Sequence, residues 1–520
     1  MPAPDLRVGI DVGGTNTDAV ALDRADALLA KAKVPTTADV TSGITSALDG
    51  VLAQLGGERG RVTHVMLGTT HATNAILERR GLARVALVRI GGPATHAVRP
   101  LFAWPSDLRA AVSAGQLVAD GGIEFDGREI MPLDLDAVRR FLDEIAGRVD
   151  GVAVASVFAP VSAEHELAVA ETARTVLGDG VHVSLSHEIG IVGLLERENA
   201  TVLNAALVAV ARTVAGALGA ALDGHGLRPQ TFFAQNDGTL MAIEQALRYP
   251  VLTIGSGPAN SIRGAAYLTG ARDAIVADLG GTSTDVGVLA HGFPRESTTP
   301  AEIGGVRTNF RMPDLVSVAL GGGTVVARGE AGVSLGPESV GYRLQEAALV
   351  FGGRTPTLTD AAVACGRTAL GDVAAAAAHR DLLEPALARA DVLLADAIDR
   401  VKLSRGAQPL IVVGGGSVLV SDDIPGVSEV QRPEHFDVAN AIGAAIASVS
   451  GQVDRIFHPG PGGRQAAIDE ACDEARVQAA RAGADPGRIE IVEVEEIPLA
   501  YLTNSASRIR VKAAGPLGAS

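Results

Sequence analysis

Asp11-Val-Gly-Gly-Thr-Asn-Thr-Asp18 and Asp278-Leu-Gly-Gly-Thr-Ser-Thr-Asp285 agree at six of eight positions, differing only by Val for Leu and Asn for Ser. Each sits between apolar runs, residues 8–10 and 19–22 around the first and 274–277 and 286–289 around the second. Apolar run, glycine-bearing turn, apolar run reads as a β-hairpin. The paired glycines, Gly13 with Gly14 and Gly280 with Gly281, tolerate positive φ and carry no side chain, so backbone N–H groups can close on an anion. Thr15, Thr17, Thr282 and Thr284 add hydroxyl donors. Carboxylates repel phosphate directly. Asp11, Asp278 and Asp285 therefore suit a hydrated Mg²⁺, an ion that takes few carboxylates and keeps several waters. Asp11 and Asp278 are the expected catalytic pair, serving that ion or positioning a water. A single turn of this kind is as readily a plain hairpin. Two near-identical copies imply two halves of one design, facing each other across a cleft and clamping a triphosphate.

Other phosphate-binding designs fail on the same residues. Neither segment is GxGxxG, each runs into a strand-like pattern, and no GxxxxGK[ST] occurs. Outward from the hairpins, strands and helices alternate. Helical spacing covers 40–55, a long helix covers about 195–222, and strands are expected at 65–67, 85–90, 152–158, 181–184 and 410–413. That pattern predicts an α/β fold with partly parallel sheet. The expected division is a first lobe over 1–190, a second over 191–450, and a small C-terminal appendage over 451–520 with a late edge strand at 489–494. Gly414-Gly415-Gly416-Ser417 follows a buried strand and reads either as a plain turn or as bare backbone for an adenosine ring. Gly68-Thr69-Thr70 with Asn74 reads either as a helix cap or as cleft lining. His71, inside that segment, could face substrate. His64 and His71 form no metal signature. The 320–324 glycine run looks suited to phosphate but lacks an acidic partner.

Bulk properties remove other classes. A chain of 520 residues exceeds one core. A formal charge of −16 argues against nucleic-acid binding. Two distant cysteines, Cys365 and Cys472, exclude a disulfide scaffold or Cys-rich zinc site and fit a reducing compartment. No signal-peptide pattern opens the sequence, and no uninterrupted apolar run reaches membrane-span length. A cytoplasmic protein without membrane contact is expected.

Taken in order, IDVGGTNTD, GTTHATNAILERRG, Arg197-Glu-Asn-Ala-Thr-Val-Leu-Asn-Ala205, SGPANSIRGA, DLGGTSTDVGV and VSVALGGGT resemble the hydantoinase/oxoprolinase family, hydantoinase A type, from Ile10 to about Ser450. The resemblance implies a duplicated actin-like ATPase (ribonuclease H-like) fold, two lobes around a nucleotide cleft, with ATP and Mg²⁺ as cofactors. It implies ATP-dependent opening of a cyclic amide or related carbonyl compound (hydantoin, 5-oxoproline, a lactam) through phosphorylation of the carbonyl oxygen. It also implies a B-type second subunit and admits a homo-oligomer. His71 stands where the family pattern has Val, and 318–324 departs from the usual IGAGGGS; both differences bear on the substrate. A small-molecule kinase of the same superfamily and a regulatory ATPase that activates a partner are the rival expectations.

Overall fold

The structure is a computed structural model that describes residues 5–36, 40–190, 193–297, 299–329, 332–402, 404–457, 463–498 and 506–518. Leu6–Val12 (β1) and Asn16–Leu22 (β2) form the first hairpin, and Leu28–Pro35 (β3) continues it antiparallel. Val62–Thr69 (β4) lies parallel on the other side of β1. The next four strands, Val85–Gly92 (β5), Ser113–Asp120 (β6), Gly151–Ser156 (β7) and His182–Leu185 (β8), make a separate all-parallel sheet in the order β6-β5-β7-β8. Its central strands β5 and β7 are buried along their whole length because both faces are covered. Ala86, Val88 and Ile90 enter one core with the helices Leu135–Ile145 and Glu164–Leu177, while Val85 and Leu87 enter another with the helix Leu194–Gly224. That 31-residue helix is long and apolar enough to cross a membrane; here Leu203 and Leu218 bury it in two separate protein cores.

The chain then returns to the first sheet. Gln230–Ala234 (β9) lies parallel to β4, and Leu240–Ala242 (β10) follows antiparallel. Ala274–Leu279 (β11) and Thr284–Ala290 (β12) form the second hairpin, with Gln408–Val413 parallel to β11, Val427–Gln431 beyond it, and Leu315–Val318 on the far side of β12. Each sheet thus repeats one plan: an antiparallel meander, then two parallel strands added beside its first member. This is the duplicated actin-like arrangement. The first sheet also gains Val449–Phe457, Ser507–Gly515 and, at its edge, Glu490–Pro498. It therefore runs across the divisions expected at 190 and 450, and the segment after 451 supplies its outer strands instead of a detached appendage. The helix Gly463–Arg481 covers that extension through Ala467, Ala471, Ala475 and Ala479, one alanine per turn, and all four are buried.

Two helices lie between the sheets, Ser256–Thr269 and Ala439–Ile446. The second ends at Ile446, shortly before Val449 begins a strand. Ala441, Ile442 and Ala445 pack on Val20 and Leu22 of β2, while Ile262, Ala265 and Ala439 pack on Val276, Ile411 and Val413 of the second sheet. The helices touch backbone to backbone. A Cβ at Gly264 would stand 1.8 Å from the Ala439 carbonyl oxygen, and one at Gly443 1.8 Å from that of Asn260.

Candidate functional site

The two hairpins are superposable in register. Asp11 pairs with Asp18 and Val12 with Thr17; Asp278 pairs with Asp285 and Leu279 with Thr284. In each turn the first glycine N–H donates across it, Gly13 to the Asn16 carbonyl at 3.0 Å and Gly280 to that of Ser283 at 2.9 Å. The parallel neighbour of each hairpin brings a glycine up to the aspartate. A Cβ at Gly68 would lie 2.4 Å from Asp11 Oδ1, and one at Gly414, where φ is +84°, 2.4 Å from Asp278 Oδ1. The turns also meet each other: a Cβ at Gly281 would stand 2.7 Å from Thr15 Oγ1. The duplicated segments share one crevice.

Four carboxylates line its floor. Asp11 and Asp18 are only 3% exposed, while Asp278 and Asp285 keep a partly open face but are walled by protein elsewhere. Burial raises the Asp11 carboxyl to about 7, with Asp18 and then Asp278 adding repulsion; burial likewise raises Asp285 to about 6. Asp18 and Asp278 are also raised by burial, which Lys33 and the Ser261 hydroxyl respectively offset in part. Lys33 Nζ donates to Asp18 Oδ1 at 2.6 Å. Asn440 Nδ2 donates to Asp11 Oδ2 and Asp18 Oδ2, both at 3.0 Å, and Asn260 Nδ2 to Asp11 Oδ1 at 3.3 Å. Ser261 Oγ donates to Asp278 Oδ2 at 2.5 Å, and Ser317 Oγ to Asp285 Oδ1.

The expected residues divide into those open to a ligand and those already committed. Gly13, Gly14, Thr15, Gly280, Gly281 and Thr282 are partly or fully exposed at the mouth of the crevice. Thr17 and Thr284 are not phosphate donors. Both are fully buried, Thr17 beside the Thr36 hydroxyl at 3.2 Å and Thr284 donating to the Leu320 carbonyl at 2.6 Å. They brace the turns from behind. Gly68 floors the crevice, and Thr70 ties β4 to the first hairpin by donating through both N–H and Oγ1 to the Val12 carbonyl. At the start of the helix His71–Glu78 the side-chain cap comes from Thr69, whose Oγ1 accepts from the His71 N–H at 3.1 Å, and not from Thr70. Asn74 donates to Thr70 Oγ1 at 3.4 Å. Thr69 is buried and bonds the His71 ring at 2.7 Å. That ring packs inward near Leu207, Phe233 and Pro250, away from the crevice, and burial lowers its pKa.

On the second lobe, Gly416 N–H donates to the Leu279 carbonyl at 2.7 Å, which seats the Gly414–Gly416 turn on the second hairpin. Gly415 is exposed with nothing near a Cβ, and Ser417 is buried. Ser417 borders a depression of about 640 Å³ with Gly366, Arg367, Asp422, Arg432 and Phe436, a volume in the range of small-molecule sites. The 320–324 run also reaches the site: Gly322 and Gly323 N–H groups donate to the Gly280 and Gly281 carbonyls at 3.1 and 2.7 Å. It buttresses the second turn.

Sequence reading missed Lys33, Asn260, Ser261, Asn440 and Ser317. The run containing Asn260 and Ser261 was visible as a motif, but nothing in it indicates which aspartate each would meet. Among the described residues no three His, Cys, Asp or Glu side chains converge as a ready-made ion cage. The buried carboxylates, with raised pKa values and a single lysine bonded to them, nonetheless suit a hydrated divalent cation held by one or two carboxylates plus phosphate oxygens. Asp11 and Asp278 are the residues that could hold it.

Residues 7–177 match the hydantoinase/oxoprolinase N-terminal region, and residues 197–396 match the hydantoinase/oxoprolinase domain. Caprolactamase subunit alpha of Pseudomonas jessenii is 27% identical over 403 residues, covering 71% of this chain and 56% of that protein. The acetophenone carboxylase gamma subunit of Aromatoleum aromaticum is 27% identical over 397 residues, covering 69% and 53%. The chain spans about half the length of these relatives. The nucleotide-free structure of acetone carboxylase, an ATP-dependent enzyme, superposes with a TM-score of 0.75 at 17% identity over 99% of this chain and 88% of that one.

Proposed function

The chain belongs to the hydantoinase/oxoprolinase family of ATP-dependent enzymes, and from that premise we propose that it uses ATP to phosphorylate the carbonyl oxygen of a cyclic amide, so that water can open the ring. The observation that carries this reading is the meeting of two equivalent turns, with Asp11 and Asp278 beneath them and exposed Gly14 and Thr282 above. Backbone N–H groups of the turns, with Thr15 and Thr282, hold the triphosphate, and the depression beside Ser417 takes the adenosine. Asp11 and Asp278 would hold Mg²⁺, which would supply charge neutralisation at the phosphates. The carbonyl oxygen attacks the γ-phosphorus, the bond to the bridging oxygen breaks and ADP leaves. Water adds to the activated carbon and gives up a proton, the C–N bond opens with the nitrogen taking a proton, and a second water releases inorganic phosphate from the acyl phosphate. Preorganised dipoles and charge around the transferring group are the main source of rate in such transfers.

The likeness to acetophenone carboxylase favours a second reading at the same site: the activated carbonyl belongs to a ketone, and the partner reaction adds a carboxyl group. The names of both relatives are those of subunits, which supports a companion chain completing the active site. One experiment separates these readings. ADP release is measured with hydantoin, 5-oxoproline, caprolactam, and acetophenone with bicarbonate, with and without a co-expressed second subunit. Ring-opened product with free phosphate supports amide hydrolysis, and carboxylated product supports the ketone reading. Turnover untouched by both Asp11→Ala and Asp278→Ala would sink the site.

A further inference from the structure

The two halves of the site are carried by different sheets, yet phosphoryl transfer needs their carboxylates at one fixed separation. Consecutive residues of one helix reach both. In Ser256–Thr269, Asn260 bonds Asp11 of the first hairpin and Ser261 bonds Asp278 of the second. From the helix Ala439–Ile446, Asn440 bridges Asp11 and Asp18 through a single nitrogen. These helices cannot slide freely, because Gly264 and Gly443 place them in backbone contact with Ala439 and Asn260. We propose that this crossed pair is a common base setting the distance between the hairpin aspartates, with Asn440 and Ser261 as positioning residues for Asp11 and Asp278. The inference rests on the nucleotide reading of the crevice.

The chemistry of the bonds supports a task beyond packing. The Asn440 amide NH₂ donates to two carboxylates at once and so holds two like charges at a set separation. Charged groups facing Asp11 and Asp18 are Asp278 from β11, Lys33 from β3 and Asp437 beside the crossing helix; Asp285 of β12 faces Asp278. Loss of the Asn440 donor leaves Asp11 and Asp18 untied from each other and from the helix Ala439–Ile446.

The test uses the full chain with Mg·ATP. Phosphate release across pH 5–9 is recorded for wild type, Asn440→Ala, Ser261→Ala and Ser261→Thr, with calorimetric binding of Mg·ATP and thermal unfolding of each. Expected are kcat losses of roughly 10- to 100-fold in both alanine variants, the scale of one hydrogen bond to a charged group. KM for ATP stays within about threefold, and Ser261→Thr recovers most of the loss. Ser261→Ala removes a single oxygen and keeps the test open if Asn440→Ala does not fold. Folded alanine variants with wild-type kcat overturn the inference and leave the nucleotide reading standing. A wild type that neither binds nor hydrolyses Mg·ATP overturns both.

Discussion

Asp11 carries the sharpest consequence at the scale of single residues. Its carboxyl sits near 7 in the folded protein, against an ordinary value of 3.8, because burial and then Asp18 disfavour its charge. The folded state therefore binds a proton that the unfolded chain releases between those values, and stability falls as pH rises through that window. Asp18, Asp278 and Asp285 shift in the same direction and add to the slope. Melting curves of ligand-free protein between pH 5 and 8 are expected to show Asp11→Asn more stable than wild type at pH 8, with the gap closing toward pH 5. An equal offset at every pH would refute this. Gly68→Ala sets a methyl group against Asp11 and Asn260, and Gly414→Ala combines a clash with Asp278 and a positive φ. Each is expected to cost about 100-fold or more in phosphate release by displacing an aspartate by about 1 Å. Retained turnover would show the aspartates to be less constrained than their surroundings imply. Glycines and aspartates were legible in the sequence because the turn chemistry is local. Thr17 and Thr284 were misread for a local reason too: strand alternation sends their side chains to the face opposite Asp18 and Asp285. Asn440 and Ser261 lie on helices far along the chain, and only tertiary packing gives them their partners.

Among the elements, the crossed helices make the strongest demand. Gly443→Ala would press a methyl carbon against the Asn260 carbonyl, where both neighbours are backbone and neither can rotate away. Urea unfolding should show a loss of about 3 kcal/mol or more, beyond the usual cost of an overpacked side chain. A loss under about 1 kcal/mol would mean the helices part easily. Apolar periodicity announced the strands of both hairpins, the long Leu194–Gly224 helix and the edge strand Glu490–Pro498. It did not announce which strands pair. β5 to β8 look like any other strand–helix alternation in the sequence, and their closure into a sheet of their own depends on helices packing against both faces.

The whole molecule was legible as two halves because one eight-residue pattern occurs twice with six positions identical. Where the final seventy residues belong was not, since their partners lie some two hundred residues earlier. Lys512, on the strand Ser507–Gly515, meets Asp237 from the β9–β10 turn at 2.7 Å with both side chains about 5% exposed or less. Lys512→Met should destabilise the protein by about 3–5 kcal/mol by stranding a buried carboxylate, and adding Asp237→Asn should recover much of it; no recovery would assign the loss to packing alone. The same arrangement bears on biosynthesis. β1 and β2 leave the ribosome early, whereas their sheet gains its outer strands only after residue 449 has emerged. Until then β10 offers an unpaired edge to any neighbouring polypeptide, and closing it depends on slow, distant contacts. Nascent chains of this protein should lean on chaperones until the strands after residue 449 have emerged, and overproduction at high temperature should yield aggregates seeded by the first lobe.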